Sequence, residues 1–133
     1  MTDNELSEPV TSDEQLARFM FFRNRLRQDW TVRPDEFMPH PYPDLSVTRH
    51  LHLTETELWN IGQHVAQQRK KTLLARADVQ ANDFQQHRLR VVAAPVNGNP
   101  NHANVTDWPA EKPAQKIIAQ QIAAAAGKAR KAN

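Results

Sequence analysis

The stretch Leu45-Ser46-Val47-Thr48-Arg49-His50-Leu51-His52-Leu53-Thr54-Glu55-Thr56-Glu57-Leu58-Trp59-Asn60-Ile61-Gly62 changes its hydrophobic period partway along. From Leu45 to Leu51 apolar and polar residues alternate and several are β-branched. That is the pattern of a half-buried strand, with Leu45 and Val47 inward and Ser46 and Thr48 outward. From Thr54 the period lengthens to that of a helix. Thr54 and Glu57 have the spacing of a capping box, and Leu53 and Leu58 that of a hydrophobic staple. Leu58, Ile61 and Val65 make an apolar stripe bordered by Trp59 and Ala66. The helix is predicted over 55–69, with Arg69-Lys70-Lys71 placing cations at its negative end. Gly62 costs the helix up to about 1 kcal/mol relative to Ala, so the close approach of another backbone is expected there.

Outward from this unit, Thr72 to Val79 reads as a second strand and Ala81 to Gln86 as a short helical turn. Leu89 to Ala94, rich in Val, reads as a further strand. Pro95 to Asn101 is dense in turn formers, and His102 to Thr106 fits a short edge strand. Pro113 suits the first turn of a second long helix, which carries Ile117, Ile118 and Ile122 and ends at Gly127. On the other side, Phe19-Met20-Phe21-Phe22 suits a buried strand, although Leu16, Phe19, Met20 and Phe22 also fit one helix face. Pro34, Pro39, Pro41 and Pro43 make the segment after it an extended, ordered loop. The order predicts an α+β fold, a small mixed or antiparallel sheet covered mainly on one face by two helices. Residues 1–14 are expected to be a disordered acidic arm, 15–127 a single domain, and 128–133 a basic frayed tail.

The 133 residues suffice for one domain, and 39% hydrophobic content supports a modest core. No apolar run approaches the ~20 residues of a membrane span, and the first residues lack the basic and apolar regions of a secretory signal. The chain has no cysteine. Disulfides, thiolate nucleophiles and Cys-based metal sites are thereby excluded, and a cytoplasmic setting is expected. With three glycines, Gly62, Gly98 and Gly127, neither a dinucleotide fingerprint nor a phosphate-binding loop can be built, so no cofactor is expected.

A set of short segments recurs in an order that resembles a family of small uncharacterised bacterial proteins. These are Phe37 to Pro39, Leu45-Ser46-Val47-Thr48-Arg49, Glu57 to Gly62, Ala75-Arg76-Ala77-Asp78, His102-Ala103-Asn104-Val105 with Trp108-Pro109, and Gln115-Lys116. In that family an SV-x-R strand, an ARAD segment and a HANI-x-x-WP segment precede an Ala-rich terminal helix. Val105 stands here where the pattern usually has Ile. The resemblance spans about residues 20–127 and implies a bacterial cytoplasmic origin and one compact domain. It implies no activity.

The charge is unevenly spread. The first fourteen residues hold five acids and no Lys or Arg, leaving the remainder strongly basic. Arg18, Arg23, Arg25, Arg27 and Arg33 form one cluster and Lys128, Arg130 and Lys131 another. Arg23, Arg25 and Arg27 beside Trp30 suit a nucleic-acid backbone and base, and equally a solvated face. Asn104, Lys112 and Lys116 are further candidate binding residues. The leading expectation is an accessory or interaction protein that binds a protein or nucleic-acid partner through this Arg-rich face. The alternative is a metal-independent nuclease or phosphodiesterase with His102 as general acid or base and Arg49 and Arg76 holding the anion. In the plainer reading, Arg76 and Asp78 form a local ion pair and His102 serves loop backbone. His50 and His52, two apart on one strand face, are a polar edge in this reading, and no metal is assigned to them or to His40, Asp44 and His102.

Overall fold

The computed structural model describes residues 8–132. Six strands form one antiparallel sheet: β1 (Gln15–Met20), β2 (Leu45–Arg49), β3 (Ala75–Gln80), β4 (Arg90–Ala93), β5 (His102–Thr106) and β6 (Arg130–Lys131). Their order is β4-β5-β2-β1-β3-β6. Three helices accompany them: α1 (Glu55–Arg69), the single turn α2 (Ala81–Gln85) and α3 (Lys112–Ala126). The fold is α+β, as expected. Among the described residues no helix is long and apolar enough to cross a membrane.

Register fixes what each face carries. Leu16 and Met20 lie with Leu45, Val47, Ala75, Ala77, Val79, Ala103 and Val105 in the larger core. That face is covered by Phe84 of α2, by Ala119, Ile122 and Ala123 of α3, and by Phe37, whose ring meets Phe84 edge-on at 6.4 Å. Ala17 and Phe19 point to the opposite face and form a second, smaller core with Leu58, Ala66 and Leu73. The two long helices are therefore divided between the faces instead of sharing one. On the second face α1 covers only the β1–β3 half, and the β2–β5–β4 half presents Ser46, Thr48, His102 and Asn104.

The helix predicted over 55–69 has those bounds, and its capping box is complete, with Glu57 N donating to Thr54 Oγ1 and Thr54 N to Glu57 Oε1. Gly62 is needed for a side chain and not a backbone: a Cβ there would sit 2.6 Å from Cε1 of Phe19. β5 is not an edge strand, because β4 lies outside it and pairs with it over four residues.

Both chain ends depart from expectation. The tail is not frayed: β6 pairs with β3, Ala129 N donates to Trp30 O and Ala132 N to Leu74 O. A basic composition hid a strand that only β3, distant in sequence, could complete. Within the acidic arm, Ala81 N donates to Glu14 O and Asn82 N to Ser12 O, so residues 8–14 are docked; the rest of the arm lies outside the described residues.

Two outcomes follow for stability. Thr54→Ala should cost about 0.5–2 kcal/mol in a denaturant melt, through loss of the cap. Gly62→Ala should also destabilise, by about 1–3 kcal/mol, because the Phe19 clash outweighs the better helix propensity of Ala; an unchanged or raised midpoint would contradict the packing.

Candidate functional site

Arg49, Arg76 and His102 do not share a cleft. Arg49 lies opposite Leu16 in the register, so it shares the face of the larger core, and it is 1% exposed. Its Nε donates to Glu14 Oε1, its Nη2 to Glu14 Oε2 at 3.1 Å, and its Nη1 to Glu8 O at 3.0 Å. Part of the acidic arm thus closes over this buried guanidinium.

Arg76 lies on the other face, also 1% exposed. It donates to Glu55 Oε1 and Oε2 at 2.6 and 2.9 Å and to Asp78 Oδ1 at 3.0 Å, and its guanidinium stacks 4.7 Å from the centroid of Trp59. Asp78 also meets His50 at 3.1 Å and Arg130 at 3.3 Å. This node ties the first turn of α1 to β3, β6 and the end of β2. The local Arg76–Asp78 pair is as the plainer reading had it. His50 is committed here and His52 sits in a left-handed turn (φ 62°), so the two histidines do not share a strand face.

His102 lies on β5, separated from β3 by β2 and β1, or roughly 14 Å at ordinary strand spacing. Its Nδ1 is 2.9 Å from Ala94 O, an anchor to the preceding loop, and Asn104 shares its face.

The Arg-rich segment is largely consumed by its own loop. Arg27 Nη1 donates to Val32 O and Thr31 Oγ1, and Arg23 Nη1 donates to Leu26 O. Trp30 does not offer a clean face to a base, because Arg23 and Lys131 lie 5.4 and 4.6 Å from its ring. On α3, Lys116 pairs with Asp35 at 2.6 Å, and Lys112 is exposed at the helix start. Both belong to the side of α3, away from Asn104.

What the structure does assemble is a groove of about 670 Å³ on the half-covered face. Its making starts at a seam. β1 and β2 pair only at Leu16–Arg49 and Ala17–Thr48, although β1 continues to Met20 and β2 begins at Leu45. In the opening between them Arg18 Nη1 donates to Ser46 O at 2.8 Å, replacing a missing ladder bond. Its Nε donates to Glu36 Oε2 at 2.9 Å. Glu36 sits in a 3-10 turn (Pro34–Phe37) that the proline starts, and is 2% exposed. Arg25, from the other 3-10 turn (Arg23–Arg25), has Nη1 3.9 Å from Glu36 Oε1.

The walls of the groove are Val65, Gln68 and Arg69 of α1, Phe21 and Phe22 after β1, and the proline loop with His40 and Tyr42. Ser46, Thr48, His102 and Asn104 make its polar floor. The 95–101 turn closes one end. Asn99 Nδ2 donates to Thr48 Oγ1, Asn101 Nδ2 donates to Arg49 O and Leu51 O, and Gly98 presses so closely on α1 that a Cβ would lie 2.3 Å from His64 Nε2. Cations line the aromatic rim: Arg69 is 4.8 Å from the Phe21 ring centroid, and Arg25 and Lys71 are 5.5 and 5.1 Å from that of Phe22. Tyr42 is 72% exposed.

Burial pushes the Glu36 carboxyl above its ordinary range, against the pull of Arg18 and Arg25. Burial also raises Asp78, but hydrogen bonds from His50 and Arg76 outweigh it and hold that carboxyl low. Glu36, Arg69, Phe21, Phe22 and Tyr42 were not singled out in the sequence. Glu36 lies there unremarked in the extended proline loop, and Arg69 reads as a helix-terminal cation.

The chain matches no family model, and no curated protein or solved structure matches it.

The two carboxyls have opposite pH signatures. Asp78 contributes stability above the ordinary aspartate range, lost as pH falls through its depressed folded value. Glu36 binds its proton more tightly folded than unfolded, so its contribution is lost as pH rises through its raised folded value. The melting temperature of Glu36→Gln, relative to the unmodified protein, should therefore climb as pH rises from the ordinary glutamate range through the raised folded value of Glu36; a flat difference would mean that Glu36 titrates normally.

Proposed function

We propose that the protein is an interaction module that binds a single-stranded nucleic acid in the groove between α1, the proline loop and β2–β5. The observation that carries this reading is the convergence of Arg18, Arg25 and Arg69, from three separate elements, on one concave surface rimmed by Phe21, Phe22 and Tyr42. Cations that track a backbone, next to aromatic and guanidinium planes on which bases stack, are what sequence-tolerant single-strand binding requires. The polar floor of Ser46, Thr48, His102 and Asn104 adds hydrogen-bonding groups for sugar or base edges. The volume lies within the range of ordinary ligand sites, so it takes one or two nucleotides and not a duplex. A bacterial accessory protein of the cytoplasm is the setting that the family resemblance supports. The phosphodiesterase reading lacks a comparable support, since His102, Arg49 and Arg76 open on different parts of the sheet.

Fluorescence anisotropy with labelled single-stranded RNA and DNA at low salt is the test. Arg25→Ala and Arg69→Ala should each weaken binding and reduce the salt slope by about 0.7 per lost phosphate contact. Arg27→Ala should leave it unchanged, because Arg27 serves Thr31 and Val32 outside the groove. No binding of either nucleic acid at low salt would overturn the reading and leave a protein partner for the same surface.

A further inference from the structure

The geometry points to Glu36 as a selector for a terminal phosphate, so that the groove takes the phosphomonoester end of a strand in preference to its internal phosphodiesters. This rests on the groove being the single-strand site proposed above.

Glu36 is an unusual wall for an anion site. Its side chain is 3% exposed, one oxygen accepts from Arg18, and Oε1 has no hydrogen-bond partner. The nearest cation to Oε1, Arg25 Nη1 at 3.9 Å, is beyond hydrogen-bond reach and donates instead to Asp35 O. Arg25, whose guanidinium carries several N–H donors, borders the groove. Arg69, which borders the same groove, has no carboxylate partner among the described residues. The site thus offers donors from Arg25 and Arg69 beside one buried, uncommitted acceptor.

An ionised carboxylate only accepts. An anion that settles beside it has to bring a proton, or two negative oxygens would face each other out of water. A phosphomonoester does so: its second pKa is about 6, and in the singly protonated form its P–O–H donates to Glu36 Oε1 while its other oxygens accept from Arg25 and Arg69. An internal phosphodiester and an inorganic sulfate have no such proton near neutral pH. The complex carries one proton more than free carboxylate plus free phosphate dianion, held between Oε1 and a phosphate oxygen.

Arg18 of β1, Arg25 of the first 3-10 turn and Arg69 of α1 face Glu36, while the neighbouring Asp35 of its own turn faces Lys116 and Lys112 of α3. His40, Asp44 and His102 line the same groove. The histidines face phosphate and sulfate alike, and they remain in a Glu36 variant.

Isothermal titration of the full chain with the monoester methyl phosphate and with sulfate, at about pH 6 and about pH 8, separates these contributions. Phosphate should bind tighter than sulfate by about tenfold or more at the lower pH, the value of one hydrogen bond to a charged group. That advantage should shrink at the higher pH. At the higher pH, binding of the monoester should take up a proton, read from the dependence of the heat on buffer ionisation enthalpy. In Glu36→Gln the amide can turn its NH2 toward either anion, so both should bind alike without proton uptake attributable to phosphate. Oligothymidylate phosphorylated at one end should outbind the same strand without a terminal phosphate by a similar factor. Equal affinity for phosphate and sulfate in the unmodified protein, or a preference that survives Glu36→Gln, overturns the proposal. The comparison of anions in the unmodified protein decides the matter even if the variant does not fold. Strands that bind without regard to a terminal phosphate overturn the end selection and leave the groove reading standing. A phosphate preference without strand binding upholds Glu36 as the selector and removes the nucleic acid.

Discussion

The ion pair between Arg18 and Glu36 holds the seam where β1 and β2 part, and the open half of the sheet depends on it. A sheet interior with a missing ladder leaves backbone carbonyls unpaired, at a cost comparable to a lost hydrogen bond each. Arg18 meets this cost by donating to Ser46 O. That placement buries a cation, and Glu36 balances it from the 3-10 turn that Pro34 starts. Burial of two charges is expensive unless their remaining donors and acceptors are met. Here one acceptor, Glu36 Oε1, is left over, in a residue that borders the groove on the half of the second face that α1 leaves uncovered.

Arginine does most of the polar construction in this chain. Arg49 and Arg76 are both buried in full, one on each face, and each is held by carboxylates from distant segments. Arg49 fastens residues of the N-terminal arm to the end of β2. Arg76, stacked on Trp59 and forked onto Glu55, fastens α1 over β3. A planar fork with several donors can satisfy two carboxyls and an aromatic face together, which an ammonium cannot. Part of the positive charge that looks like a binding face in the sequence is therefore committed to the protein's own contacts, Arg49 and Arg76 in the interior and Arg23 and Arg27 to their own loop. Arg25 and Arg69 border the groove together.

Local structure was legible wherever a short-range rule governs it. The period change after Leu51, the Thr54–Glu57 box and the Leu53–Leu58 staple act within a few residues, so the bounds of α1 can be read directly. The same holds for α3 between Pro113 and Gly127 and for β2 and β5. β6 was not legible: a two-residue strand has no period of its own, and its pairing with β3 is its only cause. The docking of residues 8–14 was hidden for a related reason, because an acidic arm is ordered only if buried cations such as Arg49 exist to receive it.

The sequence by itself determined the fold class, the long helices and the strands β2 to β5, since each follows from hydrophobic period or terminal residues within one segment, while β1 stayed open between strand and helix. It also carried the ingredients of a basic, aromatic surface. The tertiary structure alone decided which of them meet. Register placed Arg49 and Arg76 on opposite faces, and strand order put two strands between His102 and Arg76, because side chains alternate across a strand and a pair read from spacing says nothing of distant strands. It likewise brought Arg18, Glu36 and Arg69 to one groove from three segments whose separation along the chain gives no sign of contact.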